Sequence, residues 1–142
     1  MTKWDRRFLD LAKLVSGWSK DPSTQVGACI VDSKNRIVSV GFNGSPRGVE
    51  DVAERDRKLL RTVHAEMNAL HFANRDVEGC TIYVTHPPCA NCAAHIVQRG
   101  IGRVVFVQGS KEFLERWWDN YTEALCIFGE AGVRVDQTGD DK

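Results

Sequence analysis

The start of the chain repeats in a helical rhythm: Trp4, Phe8, Leu11, Ala12, Val15 and Trp18 recur near three- and four-residue spacing, with charged residues between them. That spacing predicts an amphipathic helix ending near Ser19-Lys20, with Asp21-Pro22 as its exit. The rhythm then changes. Residues 26–31 form a short apolar run rich in β-branched side chains, Asp32-Ser33-Lys34-Asn35 is turn chemistry, and residues 36–42 read as the second arm of a hairpin. Residues 43–48 are a loop by composition. Residues 50–61 are strongly charged and predict a helix whose charge is mostly solvated. There follow a helix over 64–73, a strand over 81–85, a helix opening at Pro88-Cys89 and closing at Gly100, and a strand over 103–107. A long helix over 111–129 and a short strand over 133–135 complete the pattern.

The order α-β-β-α-β-α-β-α-β predicts an α/β fold: a mixed sheet covered by helices on both faces, its later strands parallel and joined by right-handed crossovers. Ligands in such sheets bind where strands end and helices begin. Trp117, Trp118 and Tyr121 lie on the long helix, and two adjacent tryptophans cannot both face inward, so one is free to meet another subunit.

The 142 residues suit one compact domain, and no repeat, low-complexity tract or linker divides them. Nineteen basic side chains balance nineteen acidic ones, which favours a small-molecule substrate over a polynucleotide. The charged N-terminus has no apolar signal region and no run of about 18 apolar residues occurs, so a cytoplasmic protein without a membrane segment is expected. The cysteine count is odd, and Cys29, Cys80 and Cys126 lie in apolar runs; reduced thiols fit better than a disulfide framework.

Two stretches carry chemistry: Val63-His64-Ala65-Glu66 and Pro87-Pro88-Cys89-Ala90-Asn91-Cys92, each at a predicted helix start. Cys89 and Cys92 are three apart, so both sulfurs can face one point from a first helical turn. If the two helices pack side by side, His64 joins them. Two thiolates and one imidazole make three ligands, which leaves a zinc ion a position open to water, the pattern of a catalytic site. Glu66 is suited to move the water's proton. A structural zinc site closed by a further cysteine, or a redox Cys-x-x-C pair, explains the parts separately, but neither needs the His-x-Glu. His-x-Glu with Pro-Cys-x-x-Cys is the signature of zinc nucleobase deaminases.

The chain resembles the deoxycytidylate (dCMP) deaminases of the cytidine deaminase superfamily from Ser19 to about Val135. The likeness rests on Ser19-Lys20-Asp21-Pro22-Ser23-Thr24-Gln25-Val26-Gly27-Ala28, on Gly41-Phe42-Asn43-Gly44-Ser45-Pro46-Arg47-Gly48, and on the two metal motifs extended to Ala69 and Ala93. It implies a three-layer α/β/α fold with a five-stranded mixed sheet, hydrolysis of dCMP to dUMP and ammonia, and one zinc ion per chain. It also implies a homo-oligomer, commonly a hexamer, activated by dCTP and inhibited by dTTP. By the same resemblance Glu66 shuttles protons, the Ala65 N–H contacts the pyrimidine O2 and Asn43 contacts the sugar. Asn43 and Gly44 become allosteric candidates. Ser19, Lys20 and Arg47 are the polar and basic groups nearest the motif loops, and so candidates for the phosphate, with Arg47 also in the control loop. The span 49–63 lacks the Cys and His that give some members a second, structural zinc. Where many members carry a Tyr, this chain reads Gln108-Gly109-Ser110-Lys111-Glu112-Phe113, so Phe113 is the candidate substitute. The rivals are a deaminase of another cytosine nucleoside or nucleotide, a deaminase of adenosine in tRNA, and an inactive zinc-bearing nucleotide sensor. Glu66 speaks against the sensor.

Overall fold

A computed structural model of the chain describes residues 1–139. The first helix, α1 (Lys3–Ser16), begins at a reciprocal cap: Thr2 Oγ1 accepts the Asp5 N–H and the Asp5 carboxylate accepts the Thr2 N–H, both at 3.1 Å. It ends short of the expected Ser19-Lys20, because the N–H groups of Gly17, Trp18 and Ser19 bond back three residues and tighten the chain into turns. Trp18 therefore leaves the buried face of the helix and lies exposed, edge-on against Phe42.

The hairpin follows as expected, with β1 at Gly27–Val31 and β2 at Ile37–Phe42. The remaining strands are β3 (Thr81–Val84), β4 (Arg103–Val107) and β5 (Arg134–Thr138). They form one five-stranded sheet in the order β2-β1-β3-β4-β5. β1 runs antiparallel to β2 and β3, whereas β3, β4 and β5 run parallel. The mixed sheet expected from the element order is therefore present, with the parallel part in its later strands.

The helices after the hairpin are α2 (Arg55–Arg61), α3 (Ala65–Phe72), α4 (Ala90–Gln98), α5 (Lys111–Arg116) and α6 (Trp118–Ala131). Strand alternation sorts the core into two layers. Ala28, Ile30, Ile82, Val84, Val104 and Phe106 pack against α3, α4 and α6 through Ala69, Ile96 and Phe128. Cys29, Val31, Tyr83 and Val105 face the other way, onto Phe8 and Ala12 of α1.

Two glycines let the helices seat this closely. A Cβ on Gly27 would lie 1.9 Å from the Ala12 carbonyl oxygen, and one on Gly41 would lie 2.4 Å from the Ala69 nitrogen. Both atoms are helix backbone and have nowhere to go, so α1 and α3 reach the sheet only where the strand has no side chain.

Three elements differ from expectation. The charged stretch is helical only from Arg55, since no residue of α2 is buried and nothing holds an earlier turn. The long helix is two, broken at Trp117 (φ −114°, ψ 24°), which separates α5 from α6. This break turns Trp117 toward a cavity described below and leaves Trp118 exposed, while Tyr121 is buried. The last strand lies further along than 133–135, because Gly132 (φ +76°) closes α6 in the left-handed region and frees Val133 to lead into the sheet. Cys126, expected among apolar neighbours, is exposed on α6, while Cys29 and Cys80 are buried.

At the edge remote from the strand C-termini, an ionic knot ties α1 to the sheet. Asp5 Oδ1 accepts from the Tyr83 hydroxyl (2.7 Å) and Arg103 Nη1 (2.9 Å), and Oδ2 accepts from Arg103 Nη2 (3.0 Å). Arg103 Nε donates in turn to Asp136 (2.8 Å). The Arg103 guanidinium holds the Asp5 carboxyl well below the usual carboxylate range, against the opposing effect of burial.

Among the described residues, no helix is long and apolar enough to cross a membrane.

Candidate metal centre

His64 is the N-cap of α3 and Cys89 the N-cap of α4, both in extended conformation just before the first helical residue. The two helices pack on the same face of the sheet, so their starts come together. The ligand atoms of His64, Cys89 and Cys92 lie within 4.8 Å of one another. His64 Nδ1 stands 3.3 Å from Cys92 Sγ and 3.6 Å from Cys89 Sγ. The Cys89 sulfur also accepts the Cys92 N–H at 3.5 Å, and Asn120 of α6 accepts the Ala90 N–H at 2.8 Å. These contacts satisfy two of the donors that a helix start leaves unpaired.

The donor set fits zinc. One imidazole and two sulfurs are the borderline-soft ligands that ion prefers, and no fourth His, Cys, Asp or Glu joins the group among the described residues. Cys29 and Cys80 sit within the core clusters and Cys126 is exposed, so none of them closes the set. The Cys92 thiol donates toward Cys89, which with the His64 ring brings the Cys89 pKa down to about 4, while the same bond and burial push Cys92 up. Both sulfurs must be deprotonated to hold an ion, so ion binding releases protons.

Glu66, in the first turn of α3, is 4% exposed, the lowest exposure of any acidic group near the cluster. Burial raises its carboxyl to about 7, against the lowering effect of His64. A carboxyl of this kind both takes and gives protons near neutrality, the requirement for a proton shuttle.

The cluster opens into a cavity of about 760 Å³. Its inner wall carries His64, Ala65, Glu66 and Cys89, with Pro87, Pro88 and His86 beside them. Asn43 lines it too. The Asn43 side chain is largely committed: Oδ1 accepts from Val26 N (2.9 Å), Nδ2 donates to Thr24 O (2.9 Å), and the Ser19 hydroxyl donates to the Asn43 carbonyl (2.9 Å). One Nδ2 proton is left over, since an amide carries two. Ala65 begins its helix, so its N–H has no acceptor within α3.

The other sequence candidates lie apart. Ser19 is buried beneath Asn43 and is not part of the cavity wall. Lys20 is exposed and 3.8 Å from Asp51. Neither Lys20, Gly44 nor Arg47 lines the cavity. Phe113 does line it, with its ring edge-on to His86 at 4.5 Å. The structure adds residues that were not among the sequence candidates for the site: Arg55 and Lys58 of α2, expected on a solvated face, with Arg116 and Trp117 around the α5–α6 break. Periodicity could not flag them, because an exposed residue at a cavity mouth has the same pattern as one on a convex surface.

Residues 2–108 match the sequence profile of the family described as the cytidine and deoxycytidylate deaminase zinc-binding region. The chain belongs to this family. It is 54% identical over 138 residues to an uncharacterised deaminase from the luxG 3′ region of Aliivibrio fischeri, a match spanning 95% of this chain and 93% of that one. It is 42% identical over 141 residues to human deoxycytidylate deaminase, spanning 92% of this chain and 77% of the human one. Among solved structures, the dCMP deaminase of cyanophage S-TIM5 in complex with dCMP and dUMP superposes with a TM-score of 0.81 at 25% identity, over 97% of this chain and 99% of that one. The zinc-binding region of the family profile contains all three residues of the cluster, and the shared fold is the five-stranded mixed sheet of the cytidine deaminases.

Proposed function

We propose that this protein hydrolyses dCMP to dUMP and ammonia, using one zinc ion per chain. The observation that carries the reading is the buried Glu66 carboxyl at the start of α3, beside a three-ligand cluster and inside a cavity large enough for a nucleotide. His64, Cys89 and Cys92 hold the ion. When bound, it supplies the Lewis acidity that makes water a nucleophile near neutral pH. Glu66 takes a proton from the attacking water at one carboxylate oxygen and passes it to the ring N3. It then takes the second proton from the new C4 hydroxyl and delivers it to the amine, so that the C4–N bond breaks, ammonia leaves and C4=O remains. Ala65 offers its free N–H to the pyrimidine O2, and Asn43 offers its remaining Nδ2 proton to the sugar. Ser19 acts through Asn43, by holding its carbonyl, and Lys20, exposed beside Asp51 and outside the cavity wall, follows Ser19 in the chain as a further positive charge.

The preference for dCMP is supported by the identity to human deoxycytidylate deaminase and by the likeness to a phage protein solved with dCMP and dUMP. Control by dCTP and dTTP belongs to the same reading, through Asn43, Gly44 and Arg47: this loop begins in the cavity wall and runs to the surface, where Gly44 pairs with Val63 just before His64. Leu14, Trp18 and Trp118 are exposed apolar side chains that suit assembly into a homo-oligomer.

The test is ammonia release from dCMP, deoxycytidine, CMP, cytidine and a tRNA anticodon stem by the zinc-loaded protein. Deamination of dCMP well above the others is expected. Glu66→Gln is expected to keep its zinc and lose about 10²- to 10⁴-fold in kcat, the contribution of a positioned proton carrier. Equal rates on deoxycytidine and dCMP would overturn the substrate, and unchanged kcat in Glu66→Gln would overturn the mechanism.

A further inference from the structure

Three cationic side chains border the cavity without a part in the chemistry at the metal centre: Arg55 and Lys58 of α2, and Arg116 of α5. Asp21, Glu66 and Glu112 line the same cavity, so cations and carboxyl groups are equal in number, and what sets the cations apart is how they are paired. Lys58 already has a partner, with Nζ 3.3 Å from Asp21 Oδ1 and both side chains mostly shielded. Arg55 and Arg116 enter no ion pair among the described residues. Glu112 also lines the cavity, one turn before Arg116 on the same helix, but the two are not within ion-pair distance.

The helix that carries Arg55 is unlike the rest of the fold. No residue of α2 is buried. It is tethered by the Lys58–Asp21 pair, by Arg61 Nη1 donating to the Glu50 carbonyl, and by the Gly44–Val63 bridge beyond its end. An element with so little buried apolar contact moves at small cost. The cavity, meanwhile, is larger than a pyrimidine ring needs. A ring at Glu66 leaves room toward the mouth for a sugar and a charged group.

We infer that Arg55 and Arg116 are the specificity-determining residues that hold the 5′-phosphate of the nucleotide, with α2 as the arm that brings Arg55 onto it and Lys58 as the tether of that arm. This rests on the dCMP reading above. The planar guanidinium fork matches phosphate oxygens in pairs, and an arginine without a carboxylate partner need break no existing bond to bind. A nucleoside gains nothing from the same pair, because both arginines are exposed and stay hydrated when no phosphate is there to take the place of water.

The experiment compares kcat/KM for dCMP and deoxycytidine in the zinc-loaded wild type, Arg55→Ala, Arg116→Ala and Arg116→Lys. Each alanine variant is expected to reduce the dCMP-to-deoxycytidine ratio about tenfold to a hundredfold, mainly through KM for dCMP, as loss of a charge-assisted bond implies. Arg116→Lys is expected to recover part of the ratio, since the charge remains and the fork does not. Inorganic phosphate is expected to inhibit the wild type competitively and each alanine variant more weakly. A ratio within twofold of wild type in both alanine variants would overturn the inference. So would an equal fall for both substrates, which is the mark of a structural role. If the wild type deaminates neither substrate, the dCMP reading falls by itself, and equilibrium dialysis of dUMP against deoxyuridine decides the phosphate site separately. Tighter binding of dUMP that is lost in Arg55→Ala and Arg116→Ala sustains it, and equal binding of the two overturns it.

Discussion

The two walls of the cavity are built on opposite principles. The inner wall is the start of α3 and α4, seated on a sheet whose facing residues are fully buried. The outer wall is α2 and α5, which together contain no buried residue. The metal cluster and Glu66 stand on the first, and the arginines stand on the second. Proton transfer demands fixed geometry, because a small displacement of a catalytic group removes most of its effect. Recognition of a phosphate tolerates, and gains from, a wall that closes after entry. On the function proposed above, the molecule separates the part that must not move from the part that closes.

The sharpest way to break this contrast is to remove the cluster. Cys92→Ala is expected to lose bound zinc and all measurable ammonia release while the sheet persists by circular dichroism; retention of stoichiometric zinc would show that the ion is held elsewhere. A strong chelator should reproduce the loss in the wild type, with recovery on adding zinc.

Next in size is Asp5→Asn, at the ionic knot behind the sheet. Breaking a buried pair by removing one charge costs about 3–5 kcal/mol, and urea denaturation should register a loss of that order. This residue also fixes a pH dependence. The folded-state pKa of Asp5 is depressed below the ordinary value of an unfolded chain, so its contribution is complete above that value, about 4, and drains away as pH falls through the folded one. The wild-type denaturation midpoint should therefore drop below about pH 4 more steeply than that of Asp5→Asn. Parallel curves would show that Asp5 is not the carboxylate responsible.

Gly41→Ala tests whether the inner wall depends on close seating of α3. The new methyl would meet the Ala69 backbone, and overpacking of this kind costs about 1–3 kcal/mol. Because α3 carries His64 and Glu66, kcat should fall together with stability. A variant destabilised but fully active would mean that the helix start holds its place independently of its body.

The smallest effect is expected within α2 itself. Arg57 is exposed and does not line the cavity, so Arg57→Ala should shift stability by less than about 0.5 kcal/mol and leave KM for dCMP within about twofold. Arg55, two residues away, is the contrast. If both variants behave alike, the outer wall recognises charge diffusely rather than through one side chain.

The inner wall was legible in the sequence and the outer wall was not. His64, Glu66, Cys89 and Cys92 announce themselves because metal chemistry constrains residue type and spacing together. The hairpin, β3 and β4 announce themselves because each buries its own side chains, and burial leaves a pattern, whereas β5 buries none fully and lies later than its pattern predicts. Arg55 and Arg116 are exposed and Lys58 is shielded only by an ion pair, so none of them leaves an apolar period, and the stretch 50–61 reads as solvated charge. It is solvated, but it faces a cavity, and only the third dimension records that. The break at Trp117 was not legible: the stretch 111–129 reads as one helix, and adjacent Trp117 and Trp118 say only that both cannot face inward, whereas the chain ends one helix and starts another there. Phe113 was legible as a candidate from its place after Val107, and it does line the cavity.

The hold on Asn43 has a consequence for the ageing of the protein. An asparagine followed by glycine is the dipeptide most prone to spontaneous ring closure in a loose chain, through attack of the glycine nitrogen on the side-chain carbonyl. Here the Gly44 nitrogen is turned to the Val63 carbonyl at 3.1 Å, and both ends of the Asn43 amide are bonded elsewhere. Folding thus stops a chemical clock that the bare sequence would set running, and each excursion that frees this corner lets it tick toward an aspartate that could no longer donate to Thr24.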